Sequence, residues 1–178
     1  GGSEPYDVVT GPDGNLWFTE LGGNRIGRMT PTGDVTEFSI AAGFGVRGII
    51  AATDGNLWFV TDNGTVSRIT TAGVQTAFDA TDGMFGAADP YMLAEGSDGN
   101  LWFTNWDYTR ISQMTPLGAV TSNSAGITGR VYDIVAGPDG NLWFTEPSAG
   151  TSRIGRITPA GVVTQFPVTP AAARTGSR

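Results

Sequence analysis

Along this chain short apolar runs alternate with polar turn segments, and no stretch carries the 3.6-residue recurrence of an amphipathic helix. The string Asp-Gly-Asn-Leu-Trp-Phe occurs four times, starting at Asp13, Asp54, Asp98 and Asp139, with spacings of 41, 44 and 41 residues. A second phrase follows each anchor, at 25–33, 66–73, 110–118 and 153–161. The longer spacing has a local cause: the segment from Phe78 to Tyr91 is longer than its counterpart from Phe38 to Arg47. Within the first period, strand-like runs at 6–9, 16–19, 26–30 and 34–38 are separated by turn chemistry. Pro-Asp-Gly-Asn turns the first pair into a hairpin, and Pro-Thr-Gly does the same for the last.

The second run of each period decides the architecture. Leu-Trp-Phe is consecutive apolar, and neighbours on a strand point to opposite faces, so both faces of its sheet must be covered. Sheets covered on both faces without helices stack like pages, and a period of about 40 to 45 residues is that of a propeller blade. The pattern predicts an all-β chain, a β-propeller built from four four-stranded antiparallel blades. It is either a ring of its own or half of a larger or dimeric one. The blades fall at about 4–44, 45–87, 88–128 and 129–166, with 167–178 as a flexible C-terminal tail. Trp17, Trp58, Trp102 and Trp143 recur in register and read as packing between blades, and the four anchor Asp residues read as turn formers. Arg28, Arg68 and Arg156 recur in the third run and read as ion-pair or carbonyl contacts between blades.

The phrases DGNLWFTE and NRIGRMTPTGDVTEF resemble the blades of the streptogramin B lyase (virginiamycin B lyase) family, and the resemblance covers residues 4 to 166. It implies a seven-bladed propeller that opens a cyclic depsipeptide antibiotic by elimination at its ester. It also implies a magnesium ion, a general base and acidic residues at one mouth of the channel. Aligned on the anchors, the openings of the first runs are Glu4-Pro5-Tyr6, Gly45-Val46-Arg47, Asp89-Pro90-Tyr91 and Arg130-Val131-Tyr132. By resemblance, Glu4 matches a catalytic Glu, Tyr6 replaces a catalytic His, and Glu20 matches an acidic residue near the metal. Glu146 stands at the same blade position as Glu20.

Composition changes that picture. The 178 residues contain no His and no Cys, which closes imidazole, thiol and the usual zinc chemistries. Tyr ionises near 10 and serves as a base at neutral pH only where a cation lowers it; Arg130 and Arg47 are the candidates for that role. Net charge is -7 and the ten basic residues, all Arg, are scattered singly, so no nucleic acid is expected as a partner. No apolar run approaches a membrane span, so a soluble chain, cytoplasmic or secreted, is expected.

Glu4 and Tyr6 are thus the catalytic candidates. Arg47, Tyr91, Arg130 and Tyr132, with Trp106 and Tyr108 from a loop outside the repeat, are the ligand-binding candidates, and Glu20 and Glu146 the metal candidates. Asp79, Asp82 and Asp89 flank the long loop carrying Met84 and Phe85, a second place for a cation or for recognition. The missing His points to a rigid binding or assembly scaffold for a small molecule or peptide, with no cofactor assigned. The alternative is a magnesium-dependent carbon–oxygen lyase. Four blades also leave apolar end faces, so self-association into a homodimer that closes the ring is expected.

Overall fold

The computed structural model describes residues 2–41, 45–81, 89–106, 109–123, 125–148 and 150–168. Sixteen strands form four antiparallel sheets in strict chain order. The first sheet holds β1 (Pro5–Thr10), β2 (Leu16–Glu20), β3 (Arg25–Met29) and β4 (Val35–Ser39). The second holds β5 (Val46–Ala51), β6 (Leu57–Thr61), β7 (Thr65–Ile69) and β8 (Gln75–Asp79). The third holds β9 (Pro90–Glu95), β10 (Leu101–Asn105), β11 (Ile111–Met114) and β12 (Val120–Asn123). The fourth holds β13 (Ile134–Ala136), β14 (Leu142–Glu146), β15 (Arg153–Ile157) and β16 (Val163–Pro167). Each sheet is a blade, and β1, β5, β9 and β13 lie against one another in order as the inner strands. The chain is therefore an arc of four propeller blades. The long loop with Asp82, Met84 and Phe85, and the tail from residue 169, fall outside the described residues.

Each anchor turn is built the same way. In the first, Gly11 N donates to Asn15 O, Asn15 N donates to Asp13 Oδ1, and Gly14 takes a φ of 77°, open to Gly at no steric cost. Asp13 also accepts the Trp17 indole N–H, a pairing repeated by Asp54–Trp58, Asp98–Trp102 and Asp139–Trp143.

The core lies in the seams rather than within any blade. Trp17, Ile26, Ile49, Leu57 and Phe59 fill the first seam. Trp58, Val66, Leu93, Leu101 and Phe103 fill the second, and Trp102, Ile111, Ile134, Leu142 and Phe144 the third. Leu-Trp-Phe serves both seams of its blade: Trp faces the blade that follows, Leu and Phe the one before. That is why β6 and β10 are buried along their whole length while β2 and β14, in the end blades, are not. Polar ties cross the seams as well. Arg28 Nη1 donates to Thr71 O, Thr53 donates through N and Oγ1 to Glu95, and Asp7 Oδ2 accepts from Ile49 N. No helix among the described residues is long and apolar enough to cross a membrane.

Candidate functional site

The inner strands open with a shift of register, between Pro5 and Val8 in β1, Val46 and Ile49 in β5, and opposite Phe103 to Asn105 in β9. A bulge leaves an amide without its ladder partner and re-aims the side chains beside it. Thr19 Oγ1 accepts the stray Asp7 amide at 3.0 Å, Thr104 the Met92 amide at 3.1 Å and Thr145 the Asp133 amide at 3.1 Å. Each cap lies one residue past the equivalent positions of Tyr6, Tyr91 and Tyr132.

Those tyrosines meet. Tyr6 donates its hydroxyl to the Tyr91 hydroxyl at 2.5 Å, and their rings sit edge to face with centroids 6.3 Å apart. Tyr91 meets Tyr132 at 6.3 Å, also edge to face. Trp106, just past β10, joins them, 4.5 Å from Tyr91 and 5.2 Å from Tyr132, and its amide donates to Asp89 O. The Arg47 guanidinium lies 5.1 Å from the Tyr91 centroid and 5.9 Å from that of Trp106, while Arg130 lies 5.8 Å from Trp106. Six of the ten candidate residues therefore form one aromatic and guanidinium cluster. Tyr108 lies outside the described residues.

Charge within the cluster is largely spoken for. Arg47 is ion-paired with Asp62, which holds its guanidinium protonated against the opposing effect of burial. Burial pushes the Tyr91 phenol up to about 12, reinforced by the hydrogen bond from Tyr6; Arg47 works in the other direction and is outweighed.

The acidic candidates make other contacts. Glu4 holds a φ of 43°, gives its carbonyl to Leu21 N, and sets its carboxylate against Gly22 in the β2–β3 loop. Glu20 ends β2 on the face that carries Phe18, 3% exposed, and its Oε2 has no hydrogen-bond partner. Burial pushes its carboxyl up, and Glu37 adds to this against Arg25. Glu146 is fully buried in the third seam, accepting from Thr128 Oγ1 at 2.6 Å and from Gln165 Nε2, with Arg153 at 3.5 Å. Parity along the strand gives these placements: counted from Trp17, Glu20 falls on the opposite face, towards the preceding blade and not the following one. Asp79 accepts from Thr81 N, an ordinary turn contact. A cleft of about 320 Å³ at the opposite end of the inner strands is lined by turn residues, and its Glu95 is already taken by Thr53.

The profile of the Virginiamycin B lyase family matches residues 1–176. The chain belongs to the virginiamycin B lyase family. A virginiamycin B lyase from Nocardia farcinica (strain IFM 10152) is 33% identical over 171 residues, covering 93% of this chain and 57% of the relative. A catalytically inactive His-to-Ala variant of virginiamycin B lyase from Staphylococcus aureus, crystallised with quinupristin, superposes with a TM-score of 0.86 at 30% identity. The match covers 97% of this chain and 58% of that one. Hydrazine synthase from Kuenenia stuttgartiensis shares the fold alone, at a TM-score of 0.78 and 16% identity over 93% of this chain and 49% of that one. The chain thus spans somewhat more than half the length of its virginiamycin B lyase relatives.

The magnesium that the family resemblance implies asks for near-octahedral oxygen ligation from one or two carboxylates, water and substrate. Among the described residues no three His, Cys, Asp or Glu side chains converge to hold a metal. Glu146 is saturated by protein donors, and Glu20 offers one buried oxygen without a hydrogen-bond partner. Glu4 and Glu20, whose carboxylates lie against the neighbouring Gly22 and Gly23, are the acidic groups left for such an ion.

Proposed function

We propose that this chain is a rigid binding scaffold of the virginiamycin B lyase family and does not carry the lyase reaction. Its ligand is a small molecule or peptide loop with an aromatic ring, stacked on the Tyr91, Trp106 and Tyr132 surface and hydrogen-bonded by tyrosine hydroxyls. The observation that carries this reading is the contiguous Tyr6–Tyr91–Trp106–Tyr132 cluster, fixed by seam packing before any ligand arrives. Ester elimination needs a base that takes the proton α to a carbonyl near neutral pH. A phenol ordinarily ionises near 10 and is nearly all protonated there, and no imidazole exists in the chain. The inactivity of the Staphylococcus aureus His-to-Ala variant is in keeping with this.

The competing reading is a magnesium-dependent carbon–oxygen lyase with Glu4 and Tyr6 as catalytic groups and Glu20 or Glu146 at the metal. Incubation with quinupristin and magnesium separates the two. The scaffold reading expects quenching of Trp106 fluorescence, lost in Trp106→Leu, and no ring-opened product. Elimination conserves mass, so the linear isomer is sought by chromatographic retention and not by mass alone. Appearance of that isomer, abolished by Tyr6→Phe, would overturn the scaffold reading.

A further inference from the structure

We propose that the seam between the third and fourth blades binds a small phenolic molecule, whose ring lies where the neighbouring seams carry a phenylalanine of their own. Each blade sets its Trp in a cross-strand row on one face, beside Arg28 and Thr36 for Trp17 and beside Gln113 and Thr121 for Trp102. Two positions further along the outer strand, Phe38 pairs with Ile26, Phe78 with Val66 and Phe166 with Ile154. In the third blade the residue so paired, opposite Ile111, is Asn123.

Those phenylalanines complete the Trp face. Phe38 stacks on Trp17 with centroids 5.5 Å apart, Phe78 on Trp58 at 5.4 Å and Phe166 on Trp143 at 5.6 Å. The Phe38 ring also fills the space that a Cβ of Gly73 would need in the following blade, and the Phe78 ring does so at Gly118. A guanidinium lies over the same three indoles, Arg28 at 5.7 Å, Arg68 at 5.6 Å and Arg156 at 5.9 Å. Trp102 receives neither a stacked ring nor a guanidinium from the described residues. Gln113, in the place of the arginine, instead donates its Nε2 to Asp98 Oδ2 at 2.7 Å.

A cavity of about 210 Å³ results. It lies between Trp102, Gln113 and Thr121 of the third blade and Pro159, Ala160 and Gly161 in the turn from β15 to β16. Gly161, with a φ of 82°, holds the place of Gly73 and Gly118, so the wall opposite the indole is backbone, as it is where the Phe38 and Phe78 rings sit. A cavity of about 150 Å³ is enough for benzene, so a single six-membered ring fits here with space for a substituent.

The lining selects the class of ligand. An indole faced by a glycine turn favours a flat ring. Thr121 is exposed and Gln113 half-buried, so a hydroxyl and an amide stand at the solvent edge to meet one hydroxyl on that ring. No described lining residue carries a charge, so a carboxylate or ammonium would lose its hydration and gain no ion pair. The slot shares no residue with the Tyr91, Trp106 and Tyr132 surface, and the two readings stand or fall separately.

Phenol is the probe, and two-dimensional nitrogen–proton spectra of the full chain are the readout. The chain holds 5 Trp, each with one indole N–H signal, and Trp102→Phe and Trp106→Phe identify the two that matter. Phenol should move the Trp102 signal to saturation, and cyclohexanol, of similar size but not flat, should bind more weakly. Asn123→Phe supplies the ring that the other blades own, and should abolish the Trp102 shift while raising the thermal midpoint. Should that variant misfold, Thr121→Phe, at an exposed position, overhangs the slot and should abolish the shift in its place. A Trp102 signal indifferent to phenol, equal binding of cyclohexanol, or an undiminished shift in the folded variant would each overturn the proposal. A shift confined to Trp106 would overturn it as well, by placing phenol on the aromatic cluster of the inner strands.

Discussion

Trp17 donates its indole N–H to the Asp13 carboxylate at 3.0 Å, so the residue that turns the hairpin also holds the largest buried side chain of its blade. All four blades repeat the pairing, and it leaves a mark on acid stability. Burial opposes ionisation at Asp13, Asp54 and Asp98, yet the Asn and Trp hydrogen bonds outweigh it and hold these carboxyls below the usual 3.8. Hydrogen bonds from Asn141 and then Trp143 hold Asp139 at about 2. A folded value below the unfolded one means stability complete above pH about 4 and lost as pH falls towards about 2. Urea midpoints read by tryptophan fluorescence should fall across that window, and less steeply in Asp139→Asn. An equal slope in both proteins would refute the assignment.

Asp7 binds two blades with one carboxylate, taking Val8 N on Oδ1 at 2.8 Å and Ile49 N on Oδ2 at 2.9 Å. Ile49 is buried in the first seam, so Asp7→Ala orphans its amide and should cost about 1–3 kcal/mol. Hydrogen exchange locates the effect. Protection at Ile49 should drop further than at Leu93, whose seam lies one blade away; a uniform loss would show that Asp7 acts elsewhere.

Near-ultraviolet absorbance should show one phenol ionising late, near 12, and Tyr91→Phe should remove that step. A phenol raised above its unfolded value of about 10 contributes stability that is whole below that pH and disappears as pH climbs towards about 12. Tyr6→Phe removes the hydroxyl that donates to Tyr91 and should change the late step without abolishing it. A late step that survives Tyr91→Phe unchanged would assign it to another residue.

The blade architecture was legible because its signals are local and repeated. The run at 16–19 became β2 with Glu20 added, and that at 26–30 became β3 shifted by one residue, since Arg25 pairs with Glu20 and Thr30 closes the turn. β16 extends to Pro167, one residue into the span expected for the tail. The inner-strand bulges were hidden, although Thr19 and Thr104, each directly after Leu-Trp-Phe, carry the signal in the first and third blades. The contact of Trp106 with Tyr91 and Tyr132 was not legible. Trp106 stands outside the repeat: the β9–β10 pairing sets it beside Tyr91 of its own blade, and the third seam brings Tyr132 of the next blade against it. The indole to carboxylate pairing of Trp17 and Asp13 could have been read from their constant spacing of four residues.

Placing the apolar cores in the seams has a consequence for how the molecule comes apart. A lone blade owns no interior, so two adjacent blades are the smallest autonomous unit, and stability accrues one nearest-neighbour junction at a time. The second and third blades, each clamped between two seams, hold the largest share of it.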